Sequence, residues 1–193
     1  MKEVNQVGRT VTDQMQRTIS SSTPSSTVNI VKFTNPSNSS EVTGGRLCLG
    51  NYSYIYNFAK TLKESSINTQ NKIGSSGSKV GFIRIPDEGG NYCKPANNGT
   101  YNVIPAALER VDMLSSSAYS LTLYNLGVVS PSSSYDSVSG QRLYYIDVSL
   151  GTSDYKAIEA GNDSRCKAPS DEGADQNYCS ISSFPFVARA GNI

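Results

Sequence analysis

The chain contains no histidine, and that absence removes most of the familiar catalytic constellations. Without imidazole there is no Ser-His-Asp or Cys-His nucleophile and no histidine ligand for a metal. The glycines at 44, 45, 74, 77, 89 and 90 build neither a P-loop nor a dinucleotide-binding fingerprint. Carboxylate chemistry is what remains. Asp87 with Glu88, and Asp147 with Asp154 or Glu159, are the pairs that could serve as a glycosidase couple. Adjacent carboxylates in glycine-rich turns are ordinarily solvated, so the chain is expected not to be an enzyme. A second acidic group, Asp163, Asp171, Glu172 and Asp175, lies in and beside a cysteine-bounded loop, with Gly173 available for a tight turn. Oxygen-only ligands from a loop suit Ca²⁺, although the spacing matches no EF-hand. No other cofactor is expected.

Cysteine is the other reactive side chain. Cys48, Cys93, Cys166 and Cys179 form an even set without any CxxC, which argues for two disulfides in an oxidising compartment rather than a zinc ribbon or a thioredoxin-like site. Three pairings are open. Cys48 with Cys93 and Cys166 with Cys179 is favoured because each bond then closes a loop within its own half of the chain. In the chain-entropy model the two loops would contribute about 4 and about 3 kcal/mol.

A net charge of +1 gives no electrostatic case for a nucleic-acid partner or an anionic membrane surface. Few charges, twelve Tyr, no Trp and abundant Ser, Thr, Asn and Gly describe a polar, loop-rich surface. At 193 residues the chain can bury a substantial core and reads as a single domain.

The element that must position everything else is Glu3 to Ile19. On a helical wheel Val4, Val7, Val11, Met15 and Ile19 fall within an arc of about 120°, with Arg9, Asp13 and Arg17 opposite and spaced for i,i+4 pairing. Ser20 to Thr23 and Pro24 end this helix, through competing hydroxyls and the constraint on the residue before proline. Residues 1–23 are thus helix, and 24–193 a sheet-based head. Strands are expected at Thr27–Phe33, Arg46–Gly50, Tyr52–Lys60, Lys79–Ile85, Tyr119–Val129, Arg142–Leu150 and Phe184–Ala190, the last broken by Pro185 and so at an edge. Asn35–Gly45 reads as turn, 61–78 as flexible loop, and Ile104–Leu114 as a short helix with Leu108, Val111 and Leu114 on one side. Tyr52, Tyr54 and Tyr56 share one strand face, either as a packed sheet surface or as a sugar platform.

The sum is an α+β fold: a long N-terminal amphipathic helix packed on an antiparallel sheet, with long loops and a C-terminal disulfide loop. The composition and cysteines point outside the cell, yet no signal peptide and no apolar stretch of membrane-spanning length is present. The helix starts with no capping residue ahead of it. An apolar segment directly ahead of Glu3, continuous with the helix, would account for both facts, with Met1 then an added start.

This order of elements resembles the soluble domain of a type IV pilin or pseudopilin. VGRTVTDQMQRTIS resembles the second half of the pilin spine helix, and CKAPSDEGADQNYCSISSFPFVAR the cysteine-closed C-terminal region of minor pilin-like proteins. The prepilin-peptidase site and the acidic residue that follows it are not in the sequence, so the one residue-level feature the resemblance implies is the Cys166–Cys179 bond. The resemblance implies a structural subunit, major or minor, of an extracellular type IV pilus or related filament, contributing to attachment or motility. Its partners would be other pilin subunits and a host or partner cell surface, and the membrane would be met only through the segment ahead of the helix, in the inner or cytoplasmic membrane before assembly. Val4, Val7, Val11, Met15 and Ile19 would divide between the sheet of their own subunit and neighbouring helices. The other reading is a cell-surface adhesin or carbohydrate-binding module with a Ca²⁺-binding loop, resting on the tyrosine row and the acidic cluster.

Overall fold

The computed structural model describes residues 2–22, 28–75, 77–115, 120–130, 136–154, 157–159, 165–175 and 178–191. Helix α1 spans Lys2–Ser20, with Glu3 in its first turn and Arg17 in its last, each of the sign that favours its end of the helix dipole. Its end is closed by the hydroxyls foreseen in the sequence: Ser21 Oγ donates to Thr18 O and Ser22 Oγ to Ile19 O. The Gly191 N–H donates to Ser22 O, tying that end to the last strand.

The α+β expectation is overturned. Among the described residues the fold is mostly β, with eight strands in two antiparallel sheets and α1 as the one long helix. Sheet A runs in the order β1 (Asn29–Asn35), β2 (Asn38–Leu49), β3 (Tyr52–Asn57), β4 (Phe82–Pro86) and β5 (Val111–Asp112). Sheet B is a meander of β6 (Leu121–Val129), β7 (Arg142–Thr152) and β8 (Ile181–Ala190), which leaves Pro185 on an edge strand. A short helix, α2 (Ala59–Lys63), follows β3.

Two stretches with turn-like or helix-like composition are strand. Within Asn35–Gly45 only the β1–β2 connection turns, with Asn35 Oδ1 accepting from the Ser37 N–H. The polar residues that follow are the exposed start of a long β2. Ile104–Leu114 is not a helix. Pro105 O accepts from the Leu108 N–H in a turn, Ile104 is buried, and Val111–Asp112 pairs with Ile83 and Arg84. An apolar spacing of three over so few residues is met equally by a turn whose ends face two cores.

One core lies between α1, the inner face of sheet B and one face of sheet A. It joins Val4, Val11, Met15 and Ile19 to Leu47, Tyr54, Phe82, Leu123, Tyr144, Ile146 and Val148. The second face of sheet A is covered as well, by Ile73, Val80, Tyr92, Ile104 and Leu108 packed on Ile55, Ile83 and Ile85. Sheet A is thus buried on both sides, and its connections must be buried with it. The described part of 61–78 is accordingly anchored at Thr69 and Asn71, where a flexible loop was the expectation. Asn71, fully buried, donates to Gly45 O and Tyr56 O, while Asn57 donates to Asn71 O and Val80 O. Thr69 Oγ1 donates to Asn57 Oδ1.

Candidate functional site

The apolar stripe of α1 is taken up by the chain's own core. Val4, Val11, Met15 and Ile19 are each 2% exposed or less, and Val7 is half-buried. Val4, Val11, Met15 and Ile19 pack inward in the core that α1 shares with sheets A and B, and Val7 lies half-buried beside them. Gly8 lies against the ring of Phe184 on β8, where a Cβ would overlap it. Thr18 Oγ1 shares a hydrogen bond of 2.9 Å with the Tyr54 hydroxyl, joining α1 to sheet A. The outer side of α1 is polar, with Asn5, Arg9, Asp13, Gln16 and Arg17 exposed. The spacing of Arg9, Asp13 and Arg17 does not close into ion pairs; among the described residues the pair within 4.0 Å is Lys60 with Glu41, at 2.6 Å. That contact, with Asn35, holds the Glu41 carboxyl below its ordinary pKa.

The tyrosine row faces the core. Tyr54 and Tyr56 are 0% and 1% exposed, and burial pushes the Tyr56 hydroxyl up to about 12. Burial raises Tyr54 too, against the hydrogen bond it shares with Thr18. Only Tyr52 reaches the surface, with Arg84 over its ring, so no three-tyrosine platform is presented.

Both disulfides are formed, Cys48–Cys93 and Cys166–Cys179, the pairing favoured by loop closure. They fit an oxidising, extracellular or periplasmic location. Among the described residues no helix is long and apolar enough to cross a membrane. Asp87 lies beside the first disulfide and is buried. Its Oδ1 accepts from the Asn91 N–H at 2.8 Å, and its Oδ2 from the Tyr92 N–H at 3.0 Å and from Ser53 Oγ at 2.5 Å. Glu88, its neighbour, is exposed. The Asp87 carboxylate is therefore spent on ordering the turn that carries Cys93.

Of the acidic loop, Asp163 lies outside the described residues. Asp171 Oδ2 accepts from the Ala168 N–H, Asp175 Oδ1 from the Tyr178 N–H, and Lys167 Nζ donates to Glu172 O. These contacts order turns inside the Cys166–Cys179 loop. No group of three metal-ligating side chains occurs among the described residues.

Two arrangements carry no sequence motif. Arg46 is fully buried between the rings of Phe33 and Tyr101, 5.6 Å from each centroid. Its Nε donates to Asn71 Oδ1 at 2.9 Å, and its Nη1 to Tyr92 O at 3.0 Å and Asn102 O at 2.9 Å. Burial lowers its pKa to about 10, so it stays cationic at neutral pH. One guanidinium thus ties together the β3–β4 connection, through Asn71, and two points of the β4–β5 connection, Tyr92 and Asn102. Its one signal in the sequence is a lone cation in the apolar run RLCL.

The other arrangement is on the outer face of sheet B. Register places Val129, Tyr145 and Val187 abreast, with Gly127, Asp147 and Pro185 in the next row. Val129, Tyr145 and Val187 are 60%, 48% and 46% exposed. Asp147 is held by Asn125 Nδ2, donating to Oδ2 at 3.0 Å, and by Ser183 Oγ, donating to Oδ1. The sequence marks Asp147 only as half of a carboxylate couple; the strand register, invisible in one sequence, sets its actual neighbours. No family model, curated protein or solved structure matches the chain.

Proposed function

We propose that the chain is the exported head of a subunit of a type IV pilus or related extracellular filament, a structural protein rather than an enzyme. The observation that supports this reading most is the seating of α1. Its apolar stripe is buried along its length, from Val4 to Ile19, and its end is fastened by Thr18–Tyr54 and by Gly191–Ser22. A helix so fixed would hold any helical extension ahead of it in a constant direction relative to the head, which is what a filament subunit requires. Disulfides in both halves of the chain suit a head that works outside the cell.

In this reading contacts between subunits fall to the polar outer side of α1, the loops, and whatever precedes α1, since the apolar stripe is already occupied. A second reading, a surface-binding module, is favoured by the exposed apolar row on sheet B. Antibody raised against the head, applied to source cells and to appendages sheared from them, tests the first reading. Labelling along sheared fibres is the expected result. Label spread evenly over the cell body, with none in the sheared fraction, would overturn it.

A further inference from the structure

We propose that the outer face of sheet B is a docking site for a lysine side chain of a partner polypeptide, with Asp147 as its counter-ion; the inference goes beyond the filament reading and does not depend on it. An antiparallel sheet with one face in water ordinarily carries polar side chains there. Here Val129, Tyr145 and Val187 stand abreast and exposed instead. In the adjoining row Gly127 brings no side chain, and a Cβ there would have only Asp147 backbone and Cβ atoms near it, at 4.0 Å. The missing side chain makes a depression of about 370 Å³ that Asp147, Pro185, Val129 and Tyr145 help to line.

The carboxylate in that depression is positioned but not neutralised. Asn125 and Ser183 each donate one neutral hydrogen bond to it, and no described cation lies within 4.0 Å of it. An ionised carboxylate offers about four acceptor directions, so capacity remains for an incoming donor. Charge complementarity therefore calls for a cation, and the walls call for an apolar stem to reach it. Lysine combines the two, with four methylenes beneath a compact ammonium carrying three donors. Arginine fits less well, because both oxygens already accept one bond and a guanidinium gains most from a carboxylate edge that is free to take its fork. A sugar would need several polar partners where most of the lining is apolar.

The test is a titration of the full ¹⁵N-labelled chain, followed by amide chemical shifts, with an end-blocked Gly-Lys-Gly peptide. Its Nε-acetylated form and a methyl glycoside serve as the other two probes. Saturable shifts at Gly127, Tyr145, Asp147 and Val187 are expected with the lysine peptide alone. Asp147→Asn, which keeps the shape and removes the charge, should weaken binding roughly tenfold or more. Gly127→Val, which fills the depression at a site with room for a β-branched side chain on a strand, should abolish it while leaving the remaining spectrum dispersed. The proposal is overturned if the unmodified peptide produces no saturable shift up to its solubility limit, if the acetylated peptide or the glycoside binds as well, or if Asp147→Asn binds unchanged.

Discussion

The ring of Phe184 on β8 occupies the space that a side chain at Gly8 of α1 would need. Helix and sheet B approach each other closely there because one partner has no Cβ. Replacing Gly8 by alanine sets two effects against each other: about 1 kcal/mol gained from helix propensity and about 1–3 kcal/mol lost to overpacking. Overpacking should win, and chemical denaturation should show Gly8→Ala destabilised by about 1 kcal/mol. Adding Phe184→Leu should give back part of that loss, since the two sites are in contact and cannot be additive. A stabilised single variant would mean that the ring moves aside freely.

The two disulfides differ in burial, and that orders their reduction. Cys48 and Cys93 are 3% and 2% exposed, whereas Cys166 and Cys179 are half-buried. Thiol-disulfide exchange needs access to a sulfur. Under native conditions a phosphine reductant should therefore open Cys166–Cys179 first, leaving Cys48–Cys93 intact until the fold itself opens. Timed alkylation and peptide mass spectrometry read the order, and simultaneous opening would contradict it.

Arg46 has no carboxylate among its hydrogen-bond partners; carbonyl and amide oxygens receive its donors. Arg46→Met approximates the volume but strands Asn71 Oδ1 and the carbonyls of Tyr92 and Asn102. Leaving several buried acceptors unpaired should cost about 3 kcal/mol or more. Arg46→Lys keeps the charge but cannot reach all three acceptors at once, so its loss should be intermediate. Thermal unfolding with both disulfides intact ranks the three proteins; equal midpoints would remove Arg46 from its organising role.

Alkaline pH gives a test with a definite sign. Burial raises Tyr56 from 10.0 to about 12 in the fold, so its contribution is fully present below pH 10 and is lost as pH rises toward 12. The loss over that window is about 2 kcal/mol. Arg46, lowered to about 10, acts in the opposite sense over the same range, so the difference between proteins is the clean readout. Tyr56→Phe should show a flatter decline in stability between pH 10 and 12 than the parent; parallel curves would contradict the burial argument.

The features legible in the sequence were those with a short period or a small count. The spacing of Val4, Val11, Met15 and Ile19 marks α1, and four cysteines without CxxC mark two disulfides. The alternation in YSYIYN and RLYYIDVSL marks β3 and β7. What stayed hidden depends on partners far along the chain. Asn38–Glu41 reads as turn because its residues are polar, yet Asn38 and Val42 on either side of an irregular stretch pair with Asn35 and Thr34 of β1 and carry the strand through it. Asn71 and Thr69 read as loop because their buried role comes from partners on β2 and β3, among them Arg46, Gly45, Tyr56 and Asn57. The second sheet is not legible in the sequence because nothing local to β6, β7 or β8 says that they pair with one another and not with sheet A. The same blindness to register hid the row of Val129, Tyr145 and Val187 and the neighbours of Asp147.

The central claim is that α1 belongs to a longer helix that fixes this head into an assembly. The most direct measurement is the amino-terminal sequence of the mature polypeptide isolated from its source cells. The account predicts about 20 apolar residues, enough to cross a bilayer, running into Glu3 without a helix-breaking residue. A mature chain in which α1 is preceded instead by a separate folded domain, or by nothing after removal of a cleaved leader, would contradict it.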